Sequence, residues 1–174
     1  VNGARQVGKT YLINKFADEY FKQKIYINLF ELSGKQFLEC YEQAIAWKPG
    51  TKRPEHPLHD AFLLYEPSFQ DTEDTVIIID EIQESAEIYN RIREFTRQFK
   101  CRFIVTGSYL GRVYDSEFRF SSGDVTKLTI YTLSYEEFLR AFDESLYEQY
   151  CELAIGKCEK DIYASLKQIY DVYC

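Results

Sequence analysis

The stretch Gly3-Ala4-Arg5-Gln6-Val7-Gly8-Lys9-Thr10 decides the fold of this chain, because it reads G-x-x-x-x-G-K-T. Its two glycines allow backbone angles that other residues avoid, so that successive N–H groups can turn inward around an anion. A helix is expected from Thr10 onward, and the positive end of its dipole would face that anion. The pattern therefore predicts a phosphate-binding loop at the start of a helix.

Each part of this loop has an expected role in binding a nucleoside triphosphate. Lys9 is expected to reach the β- and γ-phosphates, which makes it both a binding and a catalytic residue, and the Thr10 hydroxyl is expected to ligate Mg²⁺. A chance match is the alternative, and a random chain of this length contains the pattern about once in two hundred. The residues predicted to bind the nucleotide are Gly3, Ala4, Arg5, Gln6, Val7, Gly8, Lys9, Thr10 and Tyr11.

A second motif is the β-branched run Val76-Ile77-Ile78-Ile79, which ends abruptly in Asp80 and Glu81. Apolar residues without alternation predict a parallel strand covered on both faces, and such strands present functional groups at their carboxyl ends. Asp80 is expected to hold Mg²⁺ through water, and Glu81 to orient and polarise the water that attacks the γ-phosphate. The alternative, a helix N-cap with a charge in the first turn, is weaker once the upstream loop is considered.

Composition indicates one globular domain. The chain has 174 residues, of which 45% are hydrophobic and 28% charged, enough to bury a sizeable core. No apolar run approaches the roughly 18 residues of a membrane span and no signal segment is recognisable, so the cytoplasm is the expected location and no membrane is expected. The net charge of −7 does not indicate general binding of nucleic acid. Five cysteines without a C-x-x-C pair predict reduced, mostly buried thiols.

Apolar periodicity predicts an alternation of helices and strands. Such alternation implies right-handed crossovers, and therefore an α/β, three-layer fold with a parallel central sheet and a nucleotide at its carboxyl edge. We expect a P-loop core over residues 1–133 and a helical segment over 134–174. The predicted elements are a helix from Thr10 to Tyr20, a strand at Lys24–Asn28, helices at Phe37–Ile45 and Leu58–Tyr65, a strand at Thr75–Asp80, a helix at Ile88–Phe99 and a strand at Arg102–Thr106.

Polar residues follow the last of these strands, which is expected to lie beside the acidic one. A hydroxyl of Thr106 or Ser108 is predicted to hold the attacking water as a catalytic sensor. The alternative is that Thr106 merely bonds its own turn. Downstream, residues 117–131 are expected to form a β-hairpin, and Ser134 with Glu137 predicts a capping box at the start of a further helix.

A basic stretch lies on the helix after the acidic strand and just beyond it. A solvated helix face is the favoured interpretation. A docking surface for a neighbouring subunit or for DNA is the alternative. The stretch consists of Arg91, Arg93, Arg97, Lys100 and Arg102.

Four motifs in this order resemble the prokaryotic AAA-type ATPases of the "ATP-binding protein" group, which carry a further domain of unknown function downstream. The motifs are G-A-R-Q-V-G-K-T at Gly3–Thr10, I-I-I-D-E-I-Q at Ile77–Gln83, F-I-V-T-G-S at Phe103–Ser108 and L-S-Y-E-E-F-L at Leu133–Leu139. The resemblance implies an AAA-like core that binds ATP with Mg²⁺, a polar sensor after the strand at Phe103, and a C-terminal region that continues beyond Cys174. It implies no particular cellular task.

One departure from that family concerns a candidate arginine. Relatives have G-R-V after the sensor, whereas this chain has Gly123-Asp124-Val125. Arg112 is the nearest substitute, with a surface arginine of no role as the alternative. A homo-oligomer, or a partner that supplies an arginine, is therefore expected. Only Val1 and Asn2 precede the loop where a strand of about five residues is expected, which predicts further residues upstream.

Two functions remain open. The first is a Mg²⁺-dependent ATPase whose hydrolysis drives rearrangement of itself and of a downstream domain. The second is a nucleotide-gated switch with little turnover, with DNA association possible. A nucleoside or metabolite kinase shares the loop, but an acidic strand end followed by a T-G-S strand is more typical of ATPases.

Overall fold

The computed structural model describes residues 1, 3, 7–46, 55–107, 126–156 and 160–173. These residues belong to two compact units, Val1–Ile130 and Tyr131–Cys174. The first unit carries the sheet and the second consists of helices.

A three-stranded parallel sheet lies at the centre of the first unit. Its strands stand in the order β1 (Gln23–Asn28), β2 (Thr75–Asp80) and β3 (Arg102–Val105). Strand β2 is buried at every position, which explains why its sequence is apolar without alternation, as predicted. The register pairs Asn28 of β1 with Asp80 of β2, so the ends of these two strands lie side by side.

Helices cover both faces of this sheet. Alternate β2 residues point to opposite faces: Val76 and Ile78 pack with helix α1, and Ile77 and Ile79 with the larger core on the other face. The three-layer α/β fold is therefore the one predicted. The helices of this unit are α1 (Lys9–Tyr20), α2 (Leu32–Ile45), α3 (Pro57–Tyr65), α4 (Ala86–Asn90) and α5 (Ile92–Gln98).

Helix α2 comes very close to the end of β1 at Gly34. A Cβ on this residue would lie 2.4 Å from the carbonyl oxygen of Asn28 and 2.4 Å from the Cα of Leu29. The same helix turn accepts a hydrogen bond, because the Asn28 amide donates to the Ser33 hydroxyl at 3.1 Å. A glycine at this position lets α2 fix the backbone just after β1.

The single helix predicted from Ile88 to Phe99 is wrong, because the segment contains two helices. They are α4 and α5, and a 3₁₀ turn at Ile82–Glu84 precedes them. Arg91 separates the two helices: its amide bonds the Ile88 carbonyl at 3.0 Å, and its carbonyl accepts the Glu94 amide at 2.8 Å. Both bonds join residues three apart, instead of four as in an α-helix, so the chain is wound more tightly here. The buried apolar residues of α4 and α5 remain on one side.

The hairpin predicted over residues 117–131 falls mostly outside the described residues. Its described part, residues 126–131, contains only an isolated bridge at Thr129, so the predicted strand is wrong there. Five of these six residues are exposed and Ile130 is half-buried, so the segment has no face that alternates into a core.

The second unit consists of α6 (Tyr135–Phe142), α7 (Glu144–Ala154) and α8 (Lys160–Tyr173). The predicted capping box is present: the Ser134 hydroxyl accepts from the Glu137 amide, and the Glu137 carboxylate accepts from the Ser134 amide. Tyr135 packs against the rings of Tyr150 and Tyr170, and its hydroxyl donates to the Leu166 carbonyl at 2.7 Å.

Candidate functional site

The Asp80 carboxylate lies on the same face of the sheet as α1. Because side chains alternate along a strand, Asp80 shares the face of Val76 and Ile78, against which Ile13 and Ala17 of α1 pack. The first turn of α1 therefore stands over the end of β2. This placement explains how Thr10 and Asp80, 70 positions apart in the sequence, come into contact.

Three donors surround the Asp80 carboxylate, which is only 4% exposed. Oδ1 accepts from the backbone amide of Glu81 at 2.9 Å. Oδ2 accepts from two hydroxyl groups, Thr10 at 3.0 Å and Tyr26 at 2.7 Å. These three hydrogen bonds satisfy the buried carboxylate and fix its orientation. Glu81 holds the N-cap position of the following 3₁₀ turn, and its side chain makes no capping bond, contrary to the N-cap alternative.

The residues of the loop that the structure describes have the backbone that their sequence predicts. Gly8 has φ +81° and directly precedes α1. Gly3 has φ +153°, and a Cβ on this residue would collide with the Ile130 carbonyl oxygen. The Lys9 ammonium donates to the Gly3 carbonyl at 3.0 Å, and Lys9 is buried. The Lys9 side chain thus reaches from the C-terminal end of the loop back to its N-terminal end.

Glu81 has a left-handed backbone, with φ +52°, and among the described residues no other non-glycine residue has a positive φ. Such a backbone costs roughly 1–2 kcal/mol, and residues strained in this way cluster at functional sites. The turn is held by hydrogen bonds, because the Ile82 amide bonds the Thr106 carbonyl at 3.0 Å. The Gln83 side-chain amide donates to the Glu81 carboxylate.

Thr106 lies at the end of β3, next to this turn. Its amide donates to the Ile79 carbonyl at 2.9 Å, and its side chain is buried. Within the described residues, the Thr106 hydroxyl has no hydrogen-bond partner, so the alternative that it bonds its own turn is wrong. Gly107 follows, and a Cβ there would lie 2.6 Å from the Gln83 side-chain oxygen.

The remaining predicted site residues are distributed as follows. Val7 is half-buried beside Gly8, and Tyr11 is 69% exposed on the first turn of α1. The others lie outside the described residues: Ala4, Arg5, Gln6, the second sensor residue Ser108, and the arginine candidate Arg112.

Sequence reasoning missed two residues of this site, Tyr26 and Gln83. Burial raises the pKa of the Tyr26 phenol, and the hydrogen bond to the Asp80 carboxylate raises it further, so this phenol stays protonated at neutral pH and donates a hydrogen bond. A tyrosine two positions before the end of a strand is a weak signal. Gln83 was part of a quoted motif, but only the left-handed turn at Glu81 brings its amide to the carboxylate.

The donor set of Thr10 and Asp80 suits a hard divalent cation. A hydroxyl and a carboxylate are oxygen ligands, and Mg²⁺ usually takes only one or two of them from the protein, with phosphates and water completing its shell. No group of three or more His, Cys, Asp or Glu side chains that could hold a metal occurs among the described residues. Thr10 and Asp80 therefore fit Mg²⁺ that binds together with a nucleotide.

The basic stretch is partly neutralised by ion pairs. Arg91 binds the Glu94 carboxylate at 2.7 Å, which raises the pKa of the guanidinium, and it lies 6.0 Å from the ring centroid of Tyr41. A guanidinium nitrogen of Arg102 lies 3.8 Å from a carboxylate oxygen of Glu73. Mostly exposed side chains with local ion pairs fit the solvated face, and a docking surface for a subunit or for DNA stays a prediction.

The three cysteines that the structure describes are less buried than predicted, and Cys158 and Cys174 lie outside the described residues. Cys101 is buried, which raises the pKa of its thiol to about 12. Cys40 is half-buried and Cys151 is exposed, so the prediction is wrong for Cys151. Its helix, α7, leaves that side chain at the surface.

A parallel sheet, a glycine loop that opens a helix, and an acidic strand end beside that helix together define a P-loop α/β fold. A family model described as an AAA domain matches residues 1–139, and the chain belongs to this family. No curated protein matches the chain. In the part of the chain that the structure describes, no helix has the length and apolarity to cross a lipid bilayer.

Proposed function

We propose that this AAA domain binds ATP with Mg²⁺ and hydrolyses it. The hydrogen bond between Thr10 and Asp80 carries the proposal. It joins the first turn of the helix after the glycine loop to the acidic end of a buried strand, which is where a nucleotide-bound cation needs a hydroxyl ligand and a carboxylate that binds it through water. Lys9, buried at the same loop, supplies a positive charge for the β- and γ-phosphates.

Each side chain has a distinct task in this proposal. Thr10, directly, and Asp80, through water, would hold Mg²⁺, which would neutralise charge on the phosphates. Glu81 accepts a proton from the attacking water as the new O–P bond forms and the bond from the γ-phosphorus to the leaving oxygen of ADP breaks. Thr106 has a buried hydroxyl without a hydrogen-bond partner among the described residues at the neighbouring strand end, and we expect this hydroxyl to bond the attacking water.

We also propose that hydrolysis is coupled to movement of the region downstream of the core, and that a second copy or another partner supplies an arginine. An arginine placed against the γ-phosphate accelerates phosphoryl transfer by roughly 10³–10⁵. The alternative function is a nucleotide-gated switch with little turnover. The bond from Gln83 to Glu81 favours it, because this bond already engages the carboxylate of the proposed base.

A comparison of binding and turnover tests the proposal. ATP affinity is measured by calorimetry, and phosphate release is followed at steady state for the wild type and for Glu81→Gln. The variant should keep ATP affinity and lose about a hundredfold in turnover, the scale of losing a general base. Glu84→Gln is the matched control, because Glu84 is an exposed acid in the same turn. Equal slow rates for wild type and Glu81→Gln would establish the switch instead.

A further inference from the structure

Tyr26 belongs neither to the glycine loop nor to the acidic strand end, and no motif of the sequence includes it. It lies on β1, and the register pairs it with Ile78 of β2. Asp80 lies two residues after Ile78 on β2, and therefore on the same face of the sheet as Ile78 and Tyr26. The phenol reaches along that face to the carboxylate, with 2.7 Å between its oxygen and Asp80 Oδ2.

Tyr26 and Thr10 share one oxygen of Asp80. Oδ2 accepts both hydroxyl groups, whereas Oδ1 accepts the Glu81 amide. A hydroxyl oxygen keeps its lone pairs while its O–H donates, so Thr10 can ligate a cation and still donate to Asp80. The Tyr26 hydroxyl comes from another strand and donates to the same Asp80 oxygen, so it holds the carboxylate from a second direction.

We propose that Tyr26 is a positioning residue that fixes the Asp80 carboxylate for the Mg²⁺ that accompanies the nucleotide. The inference rests on the proposed function. It gives β1 a role in metal binding, in addition to the roles of the glycine loop and of the acidic end of β2. Residues that orient a metal ligand typically change metal affinity by about 10–100-fold when they are replaced.

The experiment compares the affinity of the whole chain for ATP with Mg²⁺ and with EDTA, by calorimetry. The ratio of the two dissociation constants is the gain that Mg²⁺ provides. In Tyr26→Phe this gain should fall about tenfold, while the affinity measured in EDTA stays within about twofold of wild type. Replacing Mg²⁺ with Mn²⁺ and following the bound ion by electron paramagnetic resonance gives a second readout, in which Tyr26→Phe should weaken Mn²⁺ binding by a similar factor.

The matched control is Tyr65→Phe, which removes the hydroxyl of a half-buried tyrosine that packs on Phe37 in the core of the opposite face. This variant should keep the full gain. A merely structural role of Tyr26 would change both affinities together or neither of them.

The possible failures are distinguishable. If the wild type shows a gain with Mg²⁺ and Tyr26→Phe keeps it, the inference is overturned and the proposed function stands. If the wild type itself shows no ATP binding or no gain, the proposed function fails and the inference fails with it. If Tyr26→Phe does not fold, as judged by its far-UV spectrum, Tyr26 belongs to the fold rather than to the site, and the inference is again overturned.

Discussion

The side-chain amide of Gln83 donates a hydrogen bond to the carboxylate of Glu81, the residue proposed as the base. The left-handed backbone of Glu81 makes this contact possible, because it turns the chain sharply between the end of β2 and the 3₁₀ turn. Gln83 is itself buried, with its side-chain oxygen close to Gly107 at the end of β3. One glutamine thus connects the ends of the two neighbouring strands.

Replacing Gln83 with methionine tests what this connection does. The variant keeps the approximate size of the side chain and removes the donor, so the Glu81 carboxylate loses its fixed direction. We expect phosphate release to fall by about tenfold while ATP affinity is unchanged, because small misplacements of a reacting group cost rate rather than binding. Gln98→Met, an exposed change on α5, is the control. Unchanged turnover in Gln83→Met would mean that the bond serves the turn alone, and faster turnover would mean that the bond restrains the base, as the switch alternative requires.

Removal of the buried ammonium at the loop tests the nucleotide site directly. Lys9→Ala should lower ATP affinity by at least about tenfold, or about 1.4 kcal/mol, because the site loses its charge for the β- and γ-phosphates. Calorimetry measures this change. Lys15→Ala removes the same charge from an exposed position of α1 and should bind ATP as the wild type does. If Lys9→Ala bound ATP with wild-type affinity, the loop would have no role in phosphate binding.

Gly34 offers a test of the fold beside the site. Alanine in place of glycine favours a helix by about 1 kcal/mol. The new methyl group, however, would stand 2.4 Å from backbone atoms of Asn28 and Leu29, which cannot move as a flexible side chain can. Overpacking of this kind costs up to about 3 kcal/mol, so Gly34→Ala should lose about 2 kcal/mol in the free energy of unfolding.

Urea denaturation measures this loss, and the slope with denaturant should stay the same. Lys35→Ala, an exposed change at the next position of α2, is the control and should unfold at nearly the wild-type midpoint. A Gly34→Ala variant as stable as the wild type would show that α2 can move away from β1 at little cost.

The sequence predicted those features of this chain that depend on local pattern. Strand β2 has the predicted bounds, Thr75–Asp80, because a run of β-branched residues has few other stable conformations. The break at Arg91 could not be predicted, because the apolar spacing continues through it while the backbone bonds change. The bond from Tyr26 to Asp80 depends on the register between two strands that lie far apart in the sequence, which periodicity within either strand does not reveal.

Asp80 receives its hydroxyl donors from positions 70 and 54 residues earlier in the chain. Contacts at such separation form only after the entropy of closing long loops has been overcome, which places them late in folding. During synthesis the glycine loop and β1 leave the ribosome before β2, so a chain that has grown only as far as β1 already contains Thr10 and Tyr26 without the carboxylate that joins them. Under the proposed function, the nascent protein therefore acquires the pair that would hold Mg²⁺ only after β2 has emerged and paired with β1, and binding of ATP with Mg²⁺ would report that these two strands have paired.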